Sequence, residues 1–102
     1  MKAVQTKGMS AFFRVVAGNP RSQGATMVLR PGQRTGGDDN VHPESDQWLY
    51  VVSGAAVAVV EGRRVNLDAG TLLLIEAGEA HEIINQGTEP LATVNVYAPP
   101  AY

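Results

Sequence analysis

The chain carries two histidines, His42 and His81, and imidazole is the side chain whose proton and lone pair are both available near neutral pH. Glu44 follows His42 with one residue between them. If that stretch is extended, residues i and i+2 project from the same face, so His42 and Glu44 can converge on one point. Pro43 between them has no amide proton to donate. His81 opens an apolar stretch after the turn signal Ala77-Gly78, and a barrel would bring that strand opposite the first. Two imidazole nitrogens and one carboxylate form the facial set suited to non-haem Fe(II), while a fourth oxygen ligand also admits Mn, Ni, Co or Zn. Strict alternation from His42 places Asp46 on the same face as a source of that oxygen.

Glycines recur at fixed distances from both histidines. The sequence reads Gly36-x5-His42-x-Glu44-x2-Gln47-x6-Gly54 and then Gly70-x5-Glu76-x-Gly78-x2-His81-x3-Asn85. These stretches resemble the two signature motifs of the cupin family, Gly-x5-His-x-His-x3,4-Glu-x6-Gly and Gly-x5-Pro-x-Gly-x2-His-x3-Asn. The second matches at Gly70, Gly78, His81 and Asn85, with Glu76 in place of proline. The first matches at Gly36, His42 and Gly54, with Glu44 in place of the second histidine, Gln47 in place of the glutamate, and a shortened gap between them.

The resemblance implies an all-β jelly-roll barrel, a double-stranded β-helix of two packed antiparallel sheets. It implies a single cupin domain over residues 1–102, with motif one at 36–54 and motif two at 70–85. It also implies one divalent transition metal per chain, held by His42, Glu44, Gln47 and His81. Charge is conserved across the departures: three histidines and a glutamate carry one negative charge, and so do two histidines, Glu44 and neutral Gln47. A divalent ion would therefore keep the same net charge. Asp46 and Gln47 compete for the fourth position. The family register favours Gln47, which then needs a bend or bulge near Ser45. Asn85 is read as the brace of a turn.

The elements that must position these residues are short. Glycine and proline punctuate runs of strand length rich in Val, Leu, Ile, Thr and aromatics. These runs are Phe12 to Val16, Ala25 to Arg30, Trp48 to Val52, Ala56 to Val60, Arg64 to Leu67, Leu72 to Ile75, His81 to Asn85 and Leu91 to Tyr97. No helical stripe exceeds two turns, so a β-sandwich or barrel is expected. Gly36 to Ser45 reads as a polar, turn-rich approach to the site. Met1 to Lys7 and the segment from Pro99 to Tyr102 read as arms, with Pro99 ending the last strand. The runs at Trp48–Val52 and Leu72–Ile75 are apolar at both parities, so both of their faces need cover, and a homodimer is the economical source of it. Trp48 and Tyr50 are accordingly read as packing residues. Tyr97 and Tyr102 offer hydroxyls to a pocket mouth or to a dimer contact.

At 102 residues the chain fits one core. Eight basic against ten acidic residues give a formal charge of -2, and with no basic cluster to follow a phosphate backbone nucleic acid is not an expected partner. The absence of cysteine excludes disulfides, thiolate ligands and cysteine nucleophiles. Met9 to Ala17 is too short to span a bilayer and no signal-peptide order is visible, so no membrane partner and a cytoplasmic setting are expected. Gly36-Gly37 lacks the lysine and helix of a phosphate loop, and there is no Gly-x-Ser-x-Gly elbow.

The expected function is a mononuclear divalent-metal enzyme acting on a small organic molecule, with dioxygenase, isomerase and lyase chemistry left open. The alternative is a non-catalytic cupin that binds or senses a sugar or other small ligand, with or without metal. A structural protein using the fold only to oligomerise would leave the two histidines unexplained. Within the family, Trp48-x-x-Val51-Val52-Ser53-Gly54-x-Ala56 resembles the sugar-phosphate isomerase branch, that of the type II mannose-6-phosphate isomerases. Ser45 stands where that branch has an arginine, so its anion clamp is missing here.

Overall fold

The computed structural model describes residues 1–37 and 42–102; the part of the polar approach at 38–41 lies outside the described residues. Among these residues the chain forms nine strands and no helix: β1 (Phe13–Asn19), β2 (Ser22–Leu29), β3 (Arg34–Gly37), β4 (Asp46–Ser53), β5 (Ala55–Val60), β6 (Arg63–Asp68), β7 (Leu72–Ile75), β8 (His81–Ile84) and β9 (Leu91–Ala98). They make two antiparallel sheets, β1-β2-β9-β4-β7 and β3-β8-β5-β6. This is the all-β jelly roll expected from the motifs, and all eight expected runs are strands.

The ninth strand, β3, is a correction. Gly36 and Gly37 read as the start of a polar approach and Arg34 and Thr35 belong to none of the expected runs, yet all four pair with β8 from Arg34↔Ile84 to Gly37↔His81. Glycine has no side chain to bury and weakens a strand interior. At the edge of the smaller sheet, pairing on one side with β8 is enough to order it.

Period-two alternation decides what faces the interior. In β4, Gln47, Leu49 and Val51 are buried while Trp48, Tyr50 and Val52 are exposed. In β9 the inward set is Leu91, Thr93, Asn95 and Tyr97. Register then sorts polarity along the barrel: Tyr97 lies between Gln23 of β2 and Gln47 of β4, whereas Leu91 pairs with Leu29. One end of the interior is therefore a packed apolar core of Met27, Leu29, Leu49, Val51, Ala58, Leu67, Ile83 and Leu91, where each buried aliphatic side chain contributes about 1.5–3 kcal/mol. The other end is lined by polar groups, and the histidines stand there.

The outward residues of β4 and β7 stay largely exposed among the described residues. Trp48, Tyr50, Val52, Leu72 and Leu74 are 38–58% exposed, and cross-strand pairing puts Trp48 beside Leu74 and Tyr50 beside Leu72. Trp48 and Tyr50, read as packing residues, are not buried by the described residues. The N-terminal arm runs along a neighbouring part of this face, where Gln5 to Met9 adjoin Val52, Ser53 and Ala92. No helix among the described residues is long and apolar enough to cross a membrane.

Gly54 joins the two sheets between β4 and β5. Its φ is +83°, and a Cβ there would lie 2.1 Å from the Pro90 carbonyl oxygen and 2.9 Å from the Leu91 Cα. Gly62 has a similar φ of +77° but open space around it. Gly54→Ala is therefore expected to lower stability by about 2–5 kcal/mol, from backbone strain and a clash with main chain together. Gly62→Ala is expected to cost about 1 kcal/mol from strain alone. Urea unfolding of both variants checks this, and equal losses would contradict the packing described.

Candidate functional site

The site is built where the two motif segments meet. The turn Glu76–Glu79 closes on itself through the Glu79 N–H donating to the Glu76 carbonyl at 3.0 Å. It then holds the segment from His42 to Asp46 by two bonds: the Gly78 N–H donates to the His42 carbonyl at 2.9 Å, and the Ala77 N–H donates to Asp46 Oδ1 at 2.9 Å. His81 starts β8 two residues after this turn. The outcome is a His42–His81 pair with ring centroids 5.2 Å apart.

Asp46 is thus a clamp, with its side chain exposed, and Gln47 is the inward residue. The reason is local. Pro43 and Glu44 form a turn and Ser45 is buried, so strand alternation starts afresh at Asp46 and does not continue from His42. The bend near Ser45 that Gln47 required is present. The same turn removes the extended geometry that would have set Glu44 alongside His42, and Glu44 is exposed. Among the described residues no group of three or more His, Cys, Asp or Glu side chains is gathered closely enough to hold a metal ion.

What the structure does gather is two imidazoles, a carboxamide and two phenols. Gln47 is buried; its Nε2 donates to Asn95 Oδ1 at 3.3 Å, and Asn95 Nδ2 in turn donates to Thr93 Oγ1 at 3.1 Å. This orientation commits the nitrogen end of the Gln47 amide and turns its oxygen away from Asn95. Gln47 Oε1 and His42 Nε2 are both buried with no hydrogen-bond partner among the described residues. Leaving a buried polar atom unpaired costs about 1–3 kcal/mol. A carboxamide oxygen accepts a hydrogen bond or binds a cation, and a neutral imidazole nitrogen does the same when its proton is on the other ring nitrogen. His81 Nδ1 faces the Glu79 carbonyl at 3.2 Å; a carbonyl only accepts, so the ring proton sits on Nδ1 and the lone pair on Nε2.

Electrostatics keep these rings neutral. Burial holds the His42 imidazole below its ordinary pKa, and the neighbouring His81 charge adds to the effect. Burial also lowers His81, opposed by the Glu79 carbonyl and carboxylate. Neutral imidazole is the form that binds metals. Tyr97 moves the other way: burial first, then the charge of Tyr102 and a hydrogen bond to its hydroxyl, raise its pKa and keep the phenol protonated.

The sequence reading missed Asn95, Thr93, Gln23 and Phe13. Asn95 and Thr93 share inward parity with Tyr97, so polar residues at alternate positions of β9 were the available signal. Gln23 is visible only through register, since it pairs with Tyr97. Tyr97 and Tyr102 both lie against His42, with centroid distances of 5.2 Å and 5.5 Å. Asn85 braces a loop as expected: Nδ2 donates to the Leu29 and Glu89 carbonyls at 2.9 Å and 2.8 Å, and Oδ1 accepts from the Gly87 N–H.

A family model described as "Cupin domain" matches residues 25–97. The tetracenomycin polyketide synthase protein TcmJ of Streptomyces glaucescens is 34% identical over 86 residues, covering 78% of this chain and 56% of that protein. The chain spans about half or less of the length of the curated relatives it matches, 56% and 36%. Among solved structures, TT1209 of Thermus thermophilus aligns over 97% of this chain and 98% of its own with a TM-score of 0.86 at 25% identity. A predicted oxalate decarboxylase of Thermotoga maritima aligns over 86% of this chain and 79% of its own with a TM-score of 0.77 at 25% identity.

The depressed histidines give the site a pH signature. In the unfolded chain both rings take up a proton as pH falls through 6.5, whereas in the folded chain they resist it. The unfolded state then binds more protons, and stability falls as pH drops below that point. Chelator-treated protein is expected to unfold at a lower urea concentration at pH 5.5 than at pH 7.5. The double variant His42→Gln/His81→Gln should flatten this difference, and an undiminished slope would contradict the assignment.

Proposed function

Because the chain belongs to the cupin family, we propose that it is a mononuclear divalent-metal enzyme acting on a small organic molecule. The observation that carries this reading is the pair of buried polar atoms without a partner among the described residues, His42 Nε2 and Gln47 Oε1, standing with His81 at the polar end of the barrel. His42, His81 and Gln47 are the fixed ligands. These three are neutral, so a divalent ion among them lacks a counter-charge. Glu44, exposed on the turn that follows His42, supplies it by swinging inward when the ion binds.

When bound, the metal supplies a Lewis acid for an oxygen of the ligand and, for a redox-active ion, access to dioxygen chemistry. The chain's own residues set the conditions. Glu79 fixes the tautomer of His81, and Asn95 fixes the face of the Gln47 amide. Tyr97, kept as a neutral phenol, can donate a hydrogen bond to a ligand oxygen beside His42 but does not serve as an anionic base at neutral pH. One relative is named as a polyketide synthase protein and one structural neighbour as a predicted oxalate decarboxylase. Both names attach to enzyme systems, which favours catalysis over simple binding for this chain.

Elemental analysis of protein purified without an affinity tag should find about one divalent transition metal per chain. His42→Ala and Gln47→Leu should weaken metal binding about tenfold or more, and Glu44→Ala should leave bound metal well below stoichiometric. Unchanged metal content in Glu44→Ala removes that residue from the ligand set. Metal-free wild-type protein that takes up no added ion overturns the reading as a whole.

The exposed face of β4 and β7 supports a second part of the proposal, a homodimer. Trp48, Tyr50, Val52, Leu72 and Leu74 form a continuous apolar surface with no charged side chain among them, and monomeric proteins rarely leave such patches bare. A second copy presents the same uncharged surface and is self-complementary to it in polarity. Sedimentation should give a dimer for the wild type and a monomer for Tyr50→Lys/Leu72→Lys. A monomeric wild type contradicts the proposal.

A further inference from the structure

Tyr102 sits in a box of three other rings. Its centroid lies 4.8 Å from Phe13, 5.1 Å from Tyr97 and 5.5 Å from His42, at interplanar angles of 51°, 78° and 72°. Tilted and edge-to-face contacts of this kind are the preferred geometry for aromatic groups, each adding to simple burial. The Tyr102 side chain also helps to keep the Tyr97 phenol protonated, and Tyr97 is only 3% exposed.

Two features show that this ring is poorly committed to its place. Tyr102 remains 61% exposed, so removing its ring from the box sacrifices little burial. Its backbone is held independently by Gln23, whose Nε2 donates to the Tyr102 carbonyl at 2.7 Å and whose Oε1 accepts the N–H groups of Ala101 and Tyr102 at 3.3 Å and 3.0 Å. The side chain can rotate away while the strap stays attached.

We propose that the box walled by Phe13, Tyr97 and His42 is a binding site for a phenolic ring, and that the Tyr102 side chain is its internal stand-in. A ligand phenol displaces that ring, stacks against the same walls and presents its hydroxyl to the Tyr97 phenol. Because His42 is one wall, the ligand's ring comes to rest beside the buried Nε2 of His42. This inference deepens the reading of the His42–His81 pocket as a small-molecule site and rests on it, but it does not require the cation.

The probes are p-cresol, toluene and cyclohexanol, titrated into the chelator-treated full chain by NMR and calorimetry. In the wild type, p-cresol should shift the ring signals of Phe13, Tyr102 and His42, and cyclohexanol should not. Tyr102→Ala should bind p-cresol about tenfold more tightly than the wild type. Adding Tyr97→Phe should remove most of the preference for p-cresol over toluene. Equal response to p-cresol and cyclohexanol in the wild type overturns the proposal even if a variant fails to fold, and so does a folded Tyr102→Ala with no gain in affinity. A metal titration on the same samples separates the two readings: phenol binding without metal uptake refutes only the cation, and metal uptake without phenol binding refutes only the box.

Discussion

The arrangement of the polar end depends on one short clamp. The turn Glu76–Glu79 lends two backbone N–H groups to the other motif, one to the His42 carbonyl and one to Asp46 Oδ1. Without them nothing in the regular pairing ties the His42 segment down, because residues 42–45 belong to no strand. The clamp fixes where His42 lies relative to His81, and it also fixes where β4 begins. The inward parity of β4 is that of its core residues Leu49 and Val51, and the bond to Asp46 Oδ1 agrees with it by holding Asp46 outside while Gln47 enters the barrel.

Once parity is set, the division of the interior follows. Leu49 and Val51 continue from Gln47 into the apolar core, while Tyr97 and Asn95 meet Gln47 from β9. The core supplies the stability that makes unpaired polar atoms tolerable at the other end. Two buried polar atoms without partners among the described residues cost about 1–3 kcal/mol each, a sizeable share of the marginal stability of a small domain. Strain of this type concentrates where a ligand relieves it. The neutral histidines and the protonated Tyr97 are consistent with an environment prepared for a cation and a polar small molecule.

Much of this was legible beforehand, and the exceptions have physical causes. The fold follows from glycine punctuation and strand-length apolar runs, and the motif spacings single out His42 and His81, whose rings meet, and Gln47, which faces inward. The placement of Glu44 was not legible, because the i, i+2 argument assumes an extended chain and Pro43-Glu44 is a turn. Nor was β3, since Gly36-Gly37 carries no side-chain pattern and is ordered by pairing with β8. The aromatic box was hidden for a different reason: Phe13, His42 and Tyr97 are far apart in sequence, and Tyr102 joins them where Gln23 ties the strap at residues 101–102 back onto β2.

The account's central claim is that His42 Nε2, His81 Nε2 and Gln47 Oε1 share one ion. Anomalous scattering from crystals grown with a divalent transition metal tests it most directly. A single peak within coordination distance of all three atoms is the predicted result. Density that instead shows the three atoms separated, or satisfied by ordinary hydrogen-bond donors with no peak between them, would contradict it.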